Sequence, residues 1–535
     1  MTRRTVRDAT FDVLRRHELT TLFANPGSTE ISLLSDLPDD LRFVLALHES
    51  SVVGMATGWA IARREPALAI LHTTAGLGNA VGALATARVN RAPLVVLVGQ
   101  QDRRHLAFEP FLAGRLQGLA GEYPVWVDQP VRPQNVPGAV ARACHEATTG
   151  RGPALVIVPM DDWLSDAGER HEEAAPARLA HGLAPDVVTI DELVGMLNSA
   201  ASPALVVGAG ADDTDTWTAL VALAERLACP VWQESFGARA GFPQDHSHFA
   251  GHLPADRTRL RQTLAPHDVV LVVGAPVLRQ YQYEPGPLVN EGTRVAVVSQ
   301  DPAEVHRSPA DLAVLASPAA VCAELARAVR ARNGPPPSPL VRPAPPPPPA
   351  AGESLRAGHV LAALGERLPA SAVLIEESPS SRPELHARIP AREPLGFLSA
   401  AMGGLGFALP AAAGVRMAAP DRPVVAVVGD GASLYGIQAL WSAAHYGVGV
   451  LFVILANGGY AVMDRLAEQH GGAFPWPGFR VDICGIARSL GCPAQRIDDY
   501  GTLVQTLDSV LPDLVHRTEP LLLEVVVTPD ETFAT

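Results

Sequence analysis

Short apolar runs alternate with helical stretches along the whole chain, and this alternation restricts the fold more than any other feature. The runs are rich in Val, Ile and Leu and mostly end in Gly, His or Asn, which is typical of buried strands. They lie at Ala67–Leu71, Leu94–Val98, Ala154–Val158, Ala204–Val207, Val269–Val273, Arg294–Val298, Val424–Val428, Val450–Leu455 and Leu521–Val527. Apolar residues at helical spacing predict a helix over Ala432–Tyr446. We therefore predict an α/β fold of doubly wound parallel sheets, with the chemistry beyond the carboxyl ends of the strands.

The chain divides into three segments of similar size. The stretch Gly334–Pro349 is dominated by proline, which fits neither a helix interior nor a central strand, so it predicts an extended linker. A softer boundary lies near 165–188, where the strand signals vanish. For these 535 residues we predict domains over 1–180, 181–334 and 350–535, with the proline-rich linker over 335–349.

Charge and composition exclude several classes of function. The 42 basic residues are all arginines, because the sequence contains no lysine, and this excludes a P-loop and a lysine Schiff base. The net charge of −14 argues against nucleic acid or an anionic membrane as the partner. No apolar run reaches the ~18 residues of a membrane span, and the N-terminal residues lack the apolar core of a signal peptide, so we expect a cytoplasmic protein.

The strongest local signal is Gly429-Asp-Gly-Ala432, which follows the predicted strand Val424–Val428. A later strand ends at Asn457-Gly-Gly459-Tyr460, so that an amide oxygen follows the Asp430 carboxylate by 27 residues (457 − 430). The Gly459 carbonyl offers a third oxygen. Hard oxygen ligands of this kind hold Mg²⁺ when phosphate oxygens complete the shell, and a helix that starts after Gly431 suits a phosphate.

With these motifs the chain resembles the thiamine-diphosphate-dependent 2-keto-acid decarboxylases, and within them the benzoylformate decarboxylases. Further segments that carry the likeness are Phe23–Glu30, Leu45–Glu49, Leu71–Asn79, Val98–Gln101, Gly274–Val277 and Ala401–Pro410. The resemblance implies that the first domain binds the pyrimidine of thiamine diphosphate, the middle one is structural, and the last binds diphosphate and Mg²⁺. It also implies a homo-oligomer, usually a tetramer, with active sites at the dimer interface.

The resemblance assigns the cofactor contacts residue by residue. Glu49 is expected to bond to the pyrimidine and activate the cofactor. The Gly403 carbonyl is expected to accept from the 4′-amino group, and Leu405 to support the bent cofactor from below. The remaining residues implied to bind the cofactor are Asn25, Pro26, Ser378, Ser380, Gly429, Gly431, Ala432 and Tyr460.

Substrate handling resembles that of the family in two places and departs from it in a third. Ser28 is expected to bond the substrate, and His72 to transfer protons, for which a histidine is suited near neutral pH. Tyr281 stands where the benzoylformate decarboxylases have a second active-site histidine. Because tyrosine is a poor proton relay at neutral pH, we expect slower protonation after CO₂ leaves and more carboligation onto an aldehyde.

The predicted pocket wall contains fewer aromatic side chains than that of the aryl-specific enzymes. Its members are Phe111, Leu112, Pro379, Ser399, Val462 and Leu466. We therefore predict decarboxylation of an aromatic or other bulky 2-keto acid to an aldehyde and CO₂, with carboligase side activity.

Two alternative functions stay open at this point. One is an acetolactate-synthase-like carboligase, and the other is a non-catalytic thiamine-diphosphate-binding protein. Val206-Val-Gly-Ala-Gly210 resembles the start of a dinucleotide fingerprint but lacks the third glycine, so FAD is an alternative that the sequence does not favour. The three histidines within Asp245–His252 could imitate a metal site, although a surface or structural role is favoured.

Overall fold

The computed structural model describes residues 4–168, 176, 179, 184–350, 352–474 and 476–529, and within them the chain forms three six-stranded parallel sheets. The first sheet has β1 (Thr21–Asn25), β2 (Arg42–Leu45), β3 (Ala67–His72), β4 (Leu94–Gln100), β5 (Trp126–Asp128) and β6 (Pro153–Pro159), in the order β2-β1-β3-β4-β6-β5. The second has β7 (Pro203–Val207), β8 (Val231–Gln233), β9 (Phe249–His252), β10 (Val269–Val273), β11 (Arg294–Ser299) and β12 (Leu312–Leu315), in the order β12-β11-β10-β7-β8-β9. The third has β13 (Val373–Glu377), β14 (Phe397–Ser399), β15 (Val424–Gly429), β16 (Leu451–Ala456), β17 (Ala494–Ile497) and β18 (Leu521–Val526), in the order β14-β13-β15-β16-β18-β17.

Helices connect the strands within each sheet. Those of the first domain are α1 (Val6–Arg16), α2 (Ile31–Leu34), α3 (Glu49–Arg63), α4 (Thr73–Val89) and α5 (Val136–Gly150). Those of the second are α6 (Val187–Ser199), α7 (Thr214–Leu227), α8 (Arg257–Leu264), α9 (Pro302–His306) and α10 (Pro318–Ala328). Those of the third are α11 (Ala357–Gly365), α12 (Arg382–Arg388), α13 (Ala408–Ala418), α14 (Asp430–Ser433), α15 (Ala439–His445), α16 (Ala461–Gln469), α17 (Ile483–Ser489) and α18 (Tyr500–Val510). The prediction of three doubly wound parallel-sheet domains is confirmed.

The predicted helix Ala432–Tyr446 is wrong as one continuous helix. The chain forms α14 and α15 there, and a series of turns separates them. The break centres on Gly436, where an added Cβ would lie 2.9 Å from the carbonyl oxygen of Gly406. The close approach of these two backbones bends the chain at a residue that has little preference for a helix.

The first and third domains share one hydrophobic core, and helices α3 and α13 cross at its centre. An added Cβ on Gly58 would lie 2.2 Å from the Ala411 carbonyl oxygen, and one on Gly414 would lie 2.0 Å from that of Met55. The two backbones therefore touch directly, and both helices are buried along most of their length. Buried side chains of both domains belong to the same cluster around this crossing.

The proline-rich linker has no helix or strand over 335–349, and Arg342 anchors it to the domains on either side. Its guanidinium donates to the carbonyls of Gln244, His386 and Ala387 at 2.9 Å each. Beside it, the rings of His252 and His386 stack with their centroids 3.9 Å apart. His252 thus has a packing role.

The predicted boundary at 180/181 lies outside the described residues, and none of the described helices is long and apolar enough to cross a bilayer.

Candidate active site

A cavity opens at the carboxyl edge of the third sheet, where the strand order reverses between β13 and β15. Such a reversal is the usual position of a ligand site in an open α/β sheet. The lining contains most of the residues predicted for the third domain: Ser378, Pro379, Ser380, Leu405, Gly429, Asp430, Gly431, Ala432, Asn457, Gly459, Tyr460 and Val462. The sequence did not point to Ser381, which adds a further hydroxyl beside Ser378 and Ser380.

The Asp430 carboxylate connects the ends of two neighbouring strands at this cavity. Its Oδ1 accepts from the Gly431 amide at 2.8 Å, and its Oδ2 accepts from the Gly458 amide at 2.7 Å. Asp430 is only 7% exposed, and burial raises its pKa while the amides of Gly458 and Gly431 oppose that rise. A bound cation would favour the ionised carboxylate further.

Asn457 presents its amide oxygen at the end of β16, next to Asp430. The Gly459 amide donates to Asn457 Oδ1 at 3.0 Å, which closes a tight turn. Gly458 has φ +70°, a conformation that glycine adopts without strain, so the Asn-Gly-Gly sequence fits this turn. The predicted oxygen groups of Asp430, Asn457 and Gly459 therefore all lie in the lining of one cavity.

A second cluster lies at the carboxyl edge of the first sheet, around Glu49. Glu49 is the first residue of α3 and is buried. Its Oε1 accepts from Asn25 Nδ2 and its Oε2 from Asn79 Nδ2, each at 3.1 Å. The two amides fix the carboxylate in one orientation. Asn79 belongs to a segment that carried the family resemblance, but no pattern in the sequence singles it out.

His72 ends β3 and forms a pair with the buried Glu30, which sequence reasoning missed. Its Nδ1 lies 3.0 Å from Glu30 Oε2 and 2.9 Å from Thr29 Oγ1. If Nδ1 carries the proton that this carboxylate accepts, Nε2 has a free lone pair for substrate. Gly99 makes room for the pair, because an added Cβ there would lie 1.6 Å from Glu30 Oε1. The next residue, Thr73, has φ +40°, a strained value for a β-branched side chain.

The two clusters are separate within one chain. Among the described residues, the cavity lining contains no member of the first or middle domain, so Asn25, Pro26, Ser28, Glu49 and His72 do not reach it. The same holds for Phe111, Leu112 and Tyr281, and of these Phe111 and Tyr281 are exposed.

Three residues that were predicted for the third domain also stand outside the lining: Gly403, Ser399 and Leu466. Gly403 lies two residues before Leu405 on an exposed loop. Ser399 is buried on β14, and its hydroxyl has no hydrogen-bond partner among the described atoms.

The loop that carries Leu405 is held by a second buried carboxylate that the sequence did not reveal. Glu377 Oε1 accepts from the Gly406 amide at 2.6 Å, and its Oε2 accepts from the amides of Phe407 and Ala408 at 2.8 and 2.6 Å. Burial raises the pKa of Glu377 to about 7, although the three amides oppose the rise.

Comparison with known proteins assigns the class of this fold and site. The chain matches the thiamine pyrophosphate enzyme models for the N-terminal TPP binding domain over residues 4–120, the central domain over 190–325 and the C-terminal TPP binding domain over 382–525. The chain therefore belongs to the thiamine-pyrophosphate-dependent enzymes.

Full-length relatives narrow the class. The chain is 37% identical to a benzoylformate decarboxylase of Pseudomonas aeruginosa, with 98% of each chain covered. Its structure superposes on a thiamine diphosphate-dependent 4-hydroxybenzoylformate decarboxylase of Rhodococcus jostii with a TM-score of 0.92 and 34% identity, covering 99% of this chain and 100% of that one. An acetolactate synthase large subunit of Parasynechococcus marenigrum is more distant, at 27% identity over 98% of this chain and 87% of its own. Within the family the chain is thus a 2-keto-acid decarboxylase, a carboxy-lyase, which sets aside a non-catalytic binding protein.

Proposed function

We propose that this enzyme decarboxylates an aromatic or other bulky 2-keto acid, of the benzoylformate type, to an aldehyde and CO₂. The observation that carries the proposal is the Glu49 carboxylate, fixed by Asn25 and Asn79 at the edge of one sheet while Asp430 and Asn457 line a cavity at the edge of another. The decarboxylase relatives are more similar to the chain than the acetolactate synthase.

The cavity of the third domain fits thiamine diphosphate with Mg²⁺. Three serine hydroxyls, from Ser378, Ser380 and Ser381, line it and can donate to diphosphate oxygens. The oxygens of Asp430 and Asn457, with the Gly459 carbonyl, form the hard donor set that Mg²⁺ prefers. The chain needs no lysine at this position, since a bound Mg²⁺, together with the serine hydroxyls and the backbone amides that follow Gly431, would offset the diphosphate charge.

The residues of the chain then have distinct tasks. Thiamine diphosphate, when bound, supplies the electron sink for the bond that breaks when CO₂ leaves. Glu49 binds the pyrimidine with an orientation that its two asparagine partners set. Ser28 has an exposed hydroxyl for the substrate carboxylate, and His72, oriented by Glu30, moves protons at the reacting carbon.

The test is CO₂ release from a panel of aryl and branched 2-keto acids, with aldehyde and acyloin products measured together. We expect turnover of bulky 2-keto acids that requires both thiamine diphosphate and Mg²⁺, and a Glu49→Gln variant that is folded but at least ~100-fold slower. Acyloin formation from pyruvate, without turnover of any bulky acid, would instead favour the acetolactate-synthase-like alternative.

Tyr281 supports a carboligase side activity. It is 61% exposed and packs only loosely on Phe236, with ring centroids 6.3 Å apart. A phenol is in general a poor proton relay near pH 7. We expect the Tyr281→His variant to release more aldehyde and less acyloin than the parent when benzaldehyde is added as acceptor. An unchanged product ratio would remove Tyr281 from this role.

We further propose that two copies of the chain complete each active site, within a tetramer. Glu49 and the Asp430 cavity are separate in one chain, while Leu47, Met402, Leu405 and Tyr435 expose apolar surface. Glu49→Gln and Asp430→Asn subunits, each inactive alone, should regain activity when they are unfolded and refolded together, since a mixed dimer contains one intact site. Mixed subunits that associate but stay inactive would contradict shared sites.

A further inference from the structure

The loop Ala400–Gly406 carries Gly403 and Leu405, and all three domains hold its two ends. Between those ends the Gly403 amide donates to the Ala400 carbonyl at 3.0 Å, while Met402 is 47% and Leu405 is 40% exposed. Gly403 and Gly406 have φ +72° and +90°, so the backbone follows a path that most other residues resist. The conformation of the loop therefore depends on the groups at its ends.

Asn90, at the end of α4 in the first domain, holds the start of the loop. Its Nδ2 donates to the Ser399 carbonyl at 3.0 Å, and its Oδ1 accepts from the Ala401 amide at 2.7 Å. The buried carboxamide of Asn90 thus bonds to the backbone at the end of β14 as the backbone of a neighbouring strand would. An apolar side chain here would leave two buried backbone groups without partners, which is costly.

Arg279 of the middle domain and Glu377 of the third domain complete the support. Arg279 Nη1 donates to the Ala401 carbonyl at 3.2 Å, so both polar groups of the Ala401 backbone are bonded to side chains of other domains. Arg279 follows Leu278, whose φ of +54° lies in the left-handed region. Glu377 binds the three amides at the other end of the loop.

We propose that Asn90 and Arg279 are positioning residues, which act with Glu377 to set the loop that supports the cofactor. The proposal rests on the proposed role of Gly403 and Leu405. Neither Asn90 nor Arg279 belongs to the cavity lining among the described residues, so their effect is transmitted through the loop backbone. Each domain of the chain then contributes to the shape of the cofactor site, including the middle domain.

The experiment compares Asn90→Leu with Gln244→Leu in the full-length protein. Gln244 is a matched control, because it is also a buried carboxamide that joins two domains, with its Oε1 accepting from the Ala391 amide at 2.9 Å. Three quantities are measured: hydrogen exchange of the amides in 400–408, the Kd of thiamine diphosphate with Mg²⁺ by calorimetry, and kcat and KM for a 2-keto acid.

For Asn90→Leu we expect exchange at 400–406 to accelerate and the cofactor Kd to rise, each about tenfold, as for the loss of buried hydrogen bonds. The kcat should fall by a similar factor while KM stays within twofold. Gln244→Leu should match the parent in exchange, Kd and kcat. Equal effects of the two variants, or unchanged exchange at 400–406 in Asn90→Leu, would overturn the proposal.

Arg279 provides a second test if Asn90→Leu does not fold. Arg279→Met should reproduce the faster exchange and weaker cofactor binding, and Arg279→Lys should restore at least half of the parent's affinity, because a lysine can still donate to the Ala401 carbonyl. Equal binding by both Arg279 variants would refute the role. The proposed function and the positioning role can fail separately. If the parent protein shows no activity on 2-keto acids while the exchange and Kd results are as expected, the proposed substrate is rejected and the positioning role stands.

Discussion

Replacing His252 by phenylalanine should make the protein less sensitive to acid. His252 stacks on His386 between the middle and third domains, and both residues are partly buried. Burial, followed by the nearby Arg342 and Arg382, lowers the pKa of His252 to about 3. Burial, His252 and the same arginines lower the pKa of His386 well below its usual value. The native interface therefore requires neutral imidazoles.

The size of the effect follows from proton binding. An unfolded histidine has a pKa near 6.5, so below that pH the unfolded chain binds a proton at position 252 that the native protein excludes. The stability from a neutral His252 is complete above pH 6.5 and is lost progressively as the pH falls towards 3. At pH 5 the loss is about 1.5 pKa units at 1.36 kcal/mol each, or about 2 kcal/mol.

The assay is urea unfolding of the holoenzyme at pH 7 and pH 5, followed by far-ultraviolet circular dichroism. For the unfolding of a unit the size of one domain, with an m-value of roughly 1–3 kcal/mol/M, about 2 kcal/mol corresponds to a shift of roughly 1 M in the urea midpoint. Removing His252 also relieves part of the lowering of the His386 pKa, which reduces the acid loss in the same direction. With the remaining groups alike in both proteins, the midpoint of His252→Phe should fall by at least about 1 M less than that of the parent between the two pH values. Equal falls in the two proteins would refute the argument that a neutral His252 is required.

Two further substitutions test other contacts. Glu30→Gln should lower kcat by ~10–100-fold with KM within twofold in steady-state assays, because Glu30 orients His72, the proposed proton-transfer group; an unchanged kcat would remove it from proton transfer. Gly58→Ala places a methyl group 2.2 Å from the Ala411 carbonyl oxygen, so we expect a loss of at least ~3 kcal/mol, visible as a lower Tm or as insoluble protein. An unaltered Tm would show that the two helices can move apart at little cost.

The sequence predicted those parts of the site that depend on neighbouring strands. Asp430 and Asn457 each follow a long Val- and Leu-rich run, and parallel strands place their carboxyl ends at one edge, so both line the same cavity as expected. The short strand β14 has three residues and no such signal, and it was not predicted. Its position depends on bonds to the Ala238 carbonyl and to Asn90, which are remote in sequence.

The missed residues share one property, which is that their partners are set by tertiary packing. Glu30 and His72 are 42 residues apart and meet only because β1 pairs with β3. Asn90 reaches Ala401 across 311 residues, and no local pattern marks a carboxamide that will bind a distant backbone. The helix predicted over Ala432–Tyr446 failed for the same reason, since the close approach of Gly406 to Gly436 breaks it.

The crossing of α3 and α13 has a consequence for how the enzyme moves. Domains usually shift against each other unless a large apolar interface joins them. Here the backbones touch at Gly58 and Gly414 within a shared core, so the first and third domains turn as one body. Among the described residues, this shared core joins the part that carries Glu49 directly to the part that carries Asp430 and leaves no separate hinge at the crossing. Substrate entry and product release must therefore come from local opening of exposed loops such as Ala400–Gly406, or from displacement of one subunit against another.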